Sequence, residues 1–297
     1  MVEFSSRLRE LRTRRKLRQK DLAEKLGVAQ TTVANYEQGS RFPGERILER
    51  IADFFGVSLD YLLGRADPGG REAQPDSSPL SPLARRYLEA LLAGNRGEAG
   101  RLVLRALERG EPLQGVYRQV FERTLREVGL LWEQGKVGVA KEHYCSLCTQ
   151  QIMSQLYPRL LEAKKPGRGL TCVSLTVTGE YHEIGGRMVA DFLELEGWRT
   201  YFLGSNLSYQ DTLQAVRELR PDLLALSATM PHNVASGAGI IRLIRESPPP
   251  ERVGILVGGQ AFQADPEAWK QVGADGYAAN AEEAVAEAGR IVSGRRA

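Results

Sequence analysis

From residue 167 to the end, the chain alternates two patterns five times. Short apolar or β-branched runs occupy 170–177, 200–203, 223–226, 253–257 and, more weakly, 276–278. A helical pattern of ten or more residues follows each of the first three, a shorter one follows the fourth, and 281–293 follows the fifth. Alternation of this kind implies an α/β, Rossmann-like, doubly wound sheet of five parallel strands with helices on both faces. Ligands on such sheets sit at the carboxyl ends of the strands, near the point where the strand order reverses. That places any site in this region, 166–297, on the loops that leave the strands.

The remainder is helical. Between 83 and 165 apolar residues fall three and four apart, with breaks at Gly94-Asn95, Gly110-Glu111-Pro112 and Gly135 to Gly138, which gives a four-helix bundle. Residues 66–82 hold four prolines and no apolar period; they read as a linker, disordered in isolation. Residues 1–65 form an all-α domain of their own. No apolar run approaches a membrane span, and the first residues lack the apolar core of a secretory signal. The chain has only three cysteines, so no disulfide framework is implied and a cytoplasmic location is expected.

The net charge of +3 is unevenly spread. Residues 1–65 carry thirteen Lys and Arg against nine Asp and Glu, and 7–20 alone hold eight basic residues and one acid, Glu10. On charge alone this is either a solvated helix face or a footprint for phosphate. Sequence pattern favours the second. Residues 19–26 make one helix, Gly27 a tight turn, and 29–38 a second helix. Ala23, Leu26, Val28 and Val33 are spaced to pack between them, and Ile47, Ile51, Phe54, Phe55, Leu59 and Leu62 supply two closing helices. With Gln19-x-x-Leu22-Ala23 and Asn35-Tyr36-Glu37-x-Gly39, the stretch 5–64 resembles the Cro/C1 (XRE-type) helix-turn-helix family. The resemblance places Gln30, Thr31, Thr32 and Asn35 on the exposed face of the recognition helix. Gln and Asn amides there can pair with adenine, and threonine methyls can meet thymine methyls. Arg18 and Gln19, at the start of the preceding helix, and Arg41, beyond the recognition helix, are set to hold phosphates. The implied partner is a double-stranded DNA operator, bound by a homo-oligomer, dimer or tetramer. A protein-interaction module of the same fold is the alternative, against which the basic cluster argues.

The loop after the first strand reads Glu180-Tyr181-His182-Glu183-Ile184-Gly185-Gly186. A lone histidine is usually structural. Here Glu180-x-His182-x-x-Gly185 is followed by Ser227-x-Thr229 after the third strand and Gly258-Gly259 after the fourth. Together these resemble the cobalamin-binding domain of methionine synthases and corrinoid mutases. The resemblance implies a cobalt corrinoid with His182 as its lower axial ligand, and a nucleotide tail passing beside Ser227, Thr229, Gly258 and Gly259, where the glycines leave room. Glu180 stands where those enzymes usually have Asp; a carboxylate remains there to accept from the imidazole N–H, on a side chain one methylene longer.

In the bundle, Trp132 ends the third helix and Glu142-His143 lie on the fourth. The Trp-x9-Glu-His spacing resembles the light-sensing CarH/LitR repressors, which use adenosylcobalamin. It implies that Trp132, Val139 and Glu142 line the upper face, and that His143 ligates cobalt once the adenosyl group has left. Without the resemblance, Trp132 reads as a core anchor and Glu142 as a surface charge. Cys145 and Cys148 read as helix packing, since zinc would need two more ligands from Cys172, His143, His182 and His232. His232, beyond the third strand, faces either ligand or solvent. The expected function is a cobalamin-dependent transcriptional regulator, not an enzyme: a photoreceptor repressor. A light-independent sensor of cobalamin supply and a corrinoid methyl carrier for a methyltransferase are the rivals.

Overall fold

A computed structural model describes residues 2–15, 17–55, 62, 79–247, 253–263, 265 and 267–296. The chain divides into two compact units, Met1–Gly70 and Arg71–Ala297. Most of the expected linker, and the last head helix apart from Leu62, lie outside the described residues.

The first unit contains α1 (Val2–Arg14), α2 (Gln19–Leu26), α3 (Gln30–Gln38) and α4 (Glu45–Phe55). Its core is built from Phe4, Leu8, Leu22, Ala23, Leu26, Val33, Tyr36, Ile51, Phe55 and Leu62. Val28 packs at the margin of this core. The turn between α2 and α3 needs a left-handed residue, and Gly27 supplies it with φ 60°. The sequence pattern gives 7–20 as a helix face or a phosphate footprint, with no part in the core. In the structure α1 also inserts Phe4 and Leu8 into the core, so its basic residues are carried on an amphipathic helix.

The second unit opens with the bundle. Ser81 caps α5 (Pro82–Leu92), its hydroxyl accepting from the Ala84 N–H. Asn95 caps α6 (Arg96–Glu108) in the same way, accepting from the Glu98 N–H. The third rod, α7, runs through Leu113–Val116, a π-helical turn at Tyr117–Glu122, and Arg123–Glu133. The fourth, α8, is the 25-residue Val139–Ala163. The π turn carries Tyr117, Val120 and Phe121 into the bundle core with Tyr87, Leu91, Val103, Ile152 and Leu156. Met188 and Phe192 of the following domain join the same core, so bundle and sheet domain share apolar packing.

The sheet domain runs β1 (Thr171–Thr176), α9 (Ile184–Leu195), β2 (Arg199–Gly204), α10 (Tyr209–Leu219), β3 (Leu223–Ser227), α11 (Val234–Glu246), β4 (Gly254–Gly258), α12 (Gln260–Gln263), α13 (Ala268–Gln271), β5 (Gly276–Ala278) and α14 (Ala281–Arg296). Strand order is β2-β1-β3-β4-β5, every pairing parallel. Alternation along β1 and β3 sends Val173, Leu175, Leu224 and Leu226 toward α10 and α11. It sends Cys172, Leu223 and Ala225 to the opposite face, with Leu193 of α9 and Ala288 and Ile291 of α14. The order reverses between β1 and β3, and their exit loops bring Glu180, His182 and Thr229 together.

Candidate functional site

The centre of the site is a carboxylate that water does not reach. Glu180 is 1% exposed, and its two oxygens accept six hydrogen bonds. Oε1 takes the N–H groups of Tyr181 and His182 at 3.1 Å each and the His182 ring at Nδ1, 2.5 Å. Oε2 takes the N–H groups of Thr229 and Met230 at 2.9 Å each and the Asn233 amide at 3.0 Å. One side chain thus ties the β1 loop to the β3 loop. Burial alone would raise its pKa; the bonds from His182, Met230 and Asn233 outweigh burial and hold it well below the usual carboxylate range.

The same pairing orients His182. The bond to Glu180 raises the imidazole's pKa, partly opposed by burial, and the charges of Glu180 and Glu142 add to the rise. With Nδ1 fixed, Nε2 makes no hydrogen bond among the described residues, and the side chain is 56% exposed. A carboxylate behind one ring nitrogen, with the other turned outward, is the usual arrangement of a metal-ligating histidine. The hydrogen bond from Gln150 of α8 to Glu183, next to His182, brings the bundle to this site.

Beside the histidine, strand register lines up Thr176, Ser227, Gly258 and Ala278 across the carboxyl edge of four strands. All four are small, and α9 opens over this edge with Gly185 and Gly186. A Cβ at Gly185 would have Ser227 Oγ 3.8 Å away as its nearest neighbour, and one at Gly186 would meet Phe202 and Ser174 at ordinary contact distance. The hydroxyls of Ser227 and Thr229 make no hydrogen bond among the described residues, which leaves them open to a polar ligand. The glycines after β4 answer to a different demand. A side chain at Gly259, where φ is 96°, would collide with the Ala228 carbonyl, and one at Gly258 would stand 2.9 Å from the Ala278 carbonyl. The need for glycine there comes first from the protein's own backbone.

Residues 170–287 match the B12 binding domain family, residues 83–157 match a second family of the same description, and residues 8–62 match a helix-turn-helix family. This chain is an XRE-type helix-turn-helix domain joined to a cobalamin-binding module. Among curated proteins, the dimethylamine corrinoid protein 2 of Methanosarcina acetivorans is 28% identical over 217 residues, 72% of this chain and 97% of that protein. The trimethylamine corrinoid protein of Methanosarcina barkeri is 27% identical over 169 residues, 56% of this chain and 76% of that protein. The solved monomethylamine corrinoid protein of Methanosarcina barkeri superposes with a TM-score of 0.63 at 21% identity, over 70% of this chain and 98% of that one. At that identity the likeness shows the fold.

The residues of the cobalamin-binding module fit such a group: an imidazole with its distal nitrogen outward, beside a shelf of small side chains and free hydroxyls. On the bundle side, Trp132 is 38% and Val139 53% exposed. An indole left this open at the end of α7, and a valine at the start of α8, are not core anchors. Glu142 is mostly covered and accepts from Ser146 Oγ at 2.8 Å. His143 is the most open of the four, its Nε2 3.7 Å from Glu142. Sequence reasoning did not pick out Asn233, Glu183 or Gln150. Asn233 is 5% exposed and braces Glu180. Glu183, next to His182, accepts from Gln150 of α8 at 2.9 Å. No motif announces these residues, since each matters only through a partner 33 to 53 positions away.

Cys145, Cys148 and Cys172 are buried free thiols, and no metal-holding cluster of His, Cys, Asp and Glu occurs among the described residues. His232 has a protein partner. In the head, Gln30, Thr31 and Asn35 are exposed and Thr32 is half-buried. Arg18 donates to Asp21 at 3.0 Å. Gln19 donates to Glu37 at 2.9 Å, and the same carboxylate holds Arg12, so the Gln19 amide is braced within the domain. Arg41 is exposed. No described helix is long and apolar enough to cross a membrane.

Proposed function

We propose that this chain is a cobalamin-gated transcriptional repressor that reads light through adenosylcobalamin, and that it is a regulator and not an enzyme. The observation that carries the reading is an outward His182, locked by Glu180, on the same polypeptide as a helix-turn-helix head. His182 would hold the cofactor from below, with Ser227, Thr229 and the shelf beside Gly185, Gly258 and Gly259 taking its tail. Trp132, Val139 and Glu142 would take the adenosyl group, an indole stacking on adenine and a carboxylate accepting from ribose hydroxyls. His143, exposed beside Glu142, is the imidazole available to the opposite face. The cofactor in this form supplies a cobalt–carbon bond that light breaks. The chain's own part is to bind the two forms unequally, because only such a difference shifts an equilibrium between assemblies. Gln30, Thr31, Thr32 and Asn35 would read the operator, with Arg18, Gln19 and Arg41 at its phosphates, in a cytoplasmic dimer or tetramer.

The test compares operator binding with adenosyl-, methyl- and hydroxocobalamin, in darkness and after illumination. Loss of binding only for the illuminated adenosyl form is expected. An equal response to all three would leave a sensor of cobalamin supply instead. The corrinoid proteins similar to this chain favour a second reading, a corrinoid methyl carrier. Methyl transfer from methylated protein to a thiol acceptor, at a rate above the free cofactor, would establish it.

A further inference from the structure

We propose that the recognition helix reads a half-site with an A·T core and offers no cation to guanine and no free carboxylate to cytosine there. The inference rests on the DNA-binding reading of the head and adds the base composition of its site. Helical spacing puts Gln30, Thr31, Ala34, Asn35 and Gln38 on one side of α3, away from the buried Val33 and Tyr36. The amides of Gln30, Asn35 and Gln38 make no side-chain hydrogen bond among the described residues, so their donor and acceptor pairs are available together. That pair matches N7 and N6 of adenine. Thr31 and Ala34 offer methyl groups, which suit the thymine methyl.

The excluded bases are as informative. Bidentate reading of guanine in the major groove falls to Arg or Lys and acceptance from cytosine to a carboxylate, while a threonine hydroxyl tolerates either base. Residues 29–38 contain no Arg or Lys. Their single carboxylate, Glu37, is 3% exposed and already holds Arg12 and Gln19. The nearby cations lie outside the reading face. Arg18 is paired with Asp21, and Arg41 follows Gly39, whose positive φ of 74° ends the helix. Neutral amides and methyls therefore face the groove, with the cations set toward the phosphates.

The experiment selects duplexes from a random pool with the full-length chain, with and without adenosylcobalamin in darkness. Enrichment of A·T pairs at the core of each half-site is expected. Replacing thymine by uracil there should weaken binding about fivefold, because it removes only the methyl group. In the Gln30→Arg variant, one core position should change its preference to G·C; the exposed site makes misfolding a small risk, and base preference is read independently of overall affinity. A guanine-containing core, indifference to thymine methyls, or an unchanged preference in Gln30→Arg would overturn the proposal. Equal binding to all duplexes would overturn it and leave the DNA-binding reading intact, whereas failure to bind any duplex would remove that reading itself.

Discussion

Glu180 concentrates the chemistry of the site in one side chain. Its carboxylate replaces water for six donors, four of them backbone N–H groups. Glu180→Ala would leave those donors in a buried cavity, and each unsatisfied buried group costs about 1–3 kcal/mol. Partial relaxation brings the expected loss to about 3 kcal/mol, measured by urea unfolding of the variant. His182→Ala removes no such brace. It should fold normally and lose tight cobalamin binding, which equilibrium titration of the purified variant would read; full affinity would remove His182 as ligand. The cysteines make a third case. Burial pushes the Cys145 thiol up to about 11 and Cys172 up to about 12. A thiol reagent should therefore label neither Cys145 nor Cys172 at neutral pH until the fold is opened by denaturant; fast labelling of either in native protein would show that the packing around it opens.

Among the elements, α9 joins the parts of the second unit. Leu193 packs on the sheet, Met188 and Phe192 enter the bundle core, and polar residues of the same helix bond to the bundle. Arg187 donates to the Gln150 carbonyl at 3.2 Å and Ser154 at 3.0 Å, and Glu194 accepts from Tyr157 and Lys164. The most buried link is Tyr117 of the π turn, donating to Asp191 at 2.9 Å. Burial raises the Asp191 carboxyl to about 6, although Tyr117 and Arg187 favour its charge. A raised carboxyl favours the fold below the ordinary carboxylate range, and that contribution is lost as pH rises through about 6. The shift corresponds to about 3 kcal/mol at most. Asp191→Asn keeps an acceptor for Tyr117 without the titration, so its stability should depend less on pH between 4 and 7. Unfolding midpoints of the two proteins across that range check this, and parallel curves would discard it. The strands and helices themselves were legible, because periodicities of 2 and 3.6 are local. The basic stretch reads as a helix face or a phosphate footprint; that Phe4 and Leu8 of the same helix enter the core is not legible there, since charge hides their spacing.

For the whole molecule, sensing has to change DNA occupancy. If the dark adenosyl form favours the DNA-binding assembly by about 1–3 kcal/mol, illumination should weaken operator affinity about five- to 150-fold, measured by fluorescence anisotropy. Illumination without effect on either assembly or occupancy would remove the photoreceptor reading and leave cobalamin supply as the signal.

The order of the parts was written in the sequence: a helix-turn-helix head, a helical bundle, and a sheet with His182 in the first strand's exit loop. These rest on local spacing, on glycine where φ must be positive, and on residue types whose chemistry is their own. The folded chain alone decided that Glu180 reaches across to Thr229, Met230 and Asn233. It alone aligned Thr176, Ser227, Gly258 and Ala278 into one shelf and brought the charge of Glu142 to bear on His182. Those relations join residues far apart in the chain, and they exist only once packing has fixed the register of the strands and the seat of the bundle.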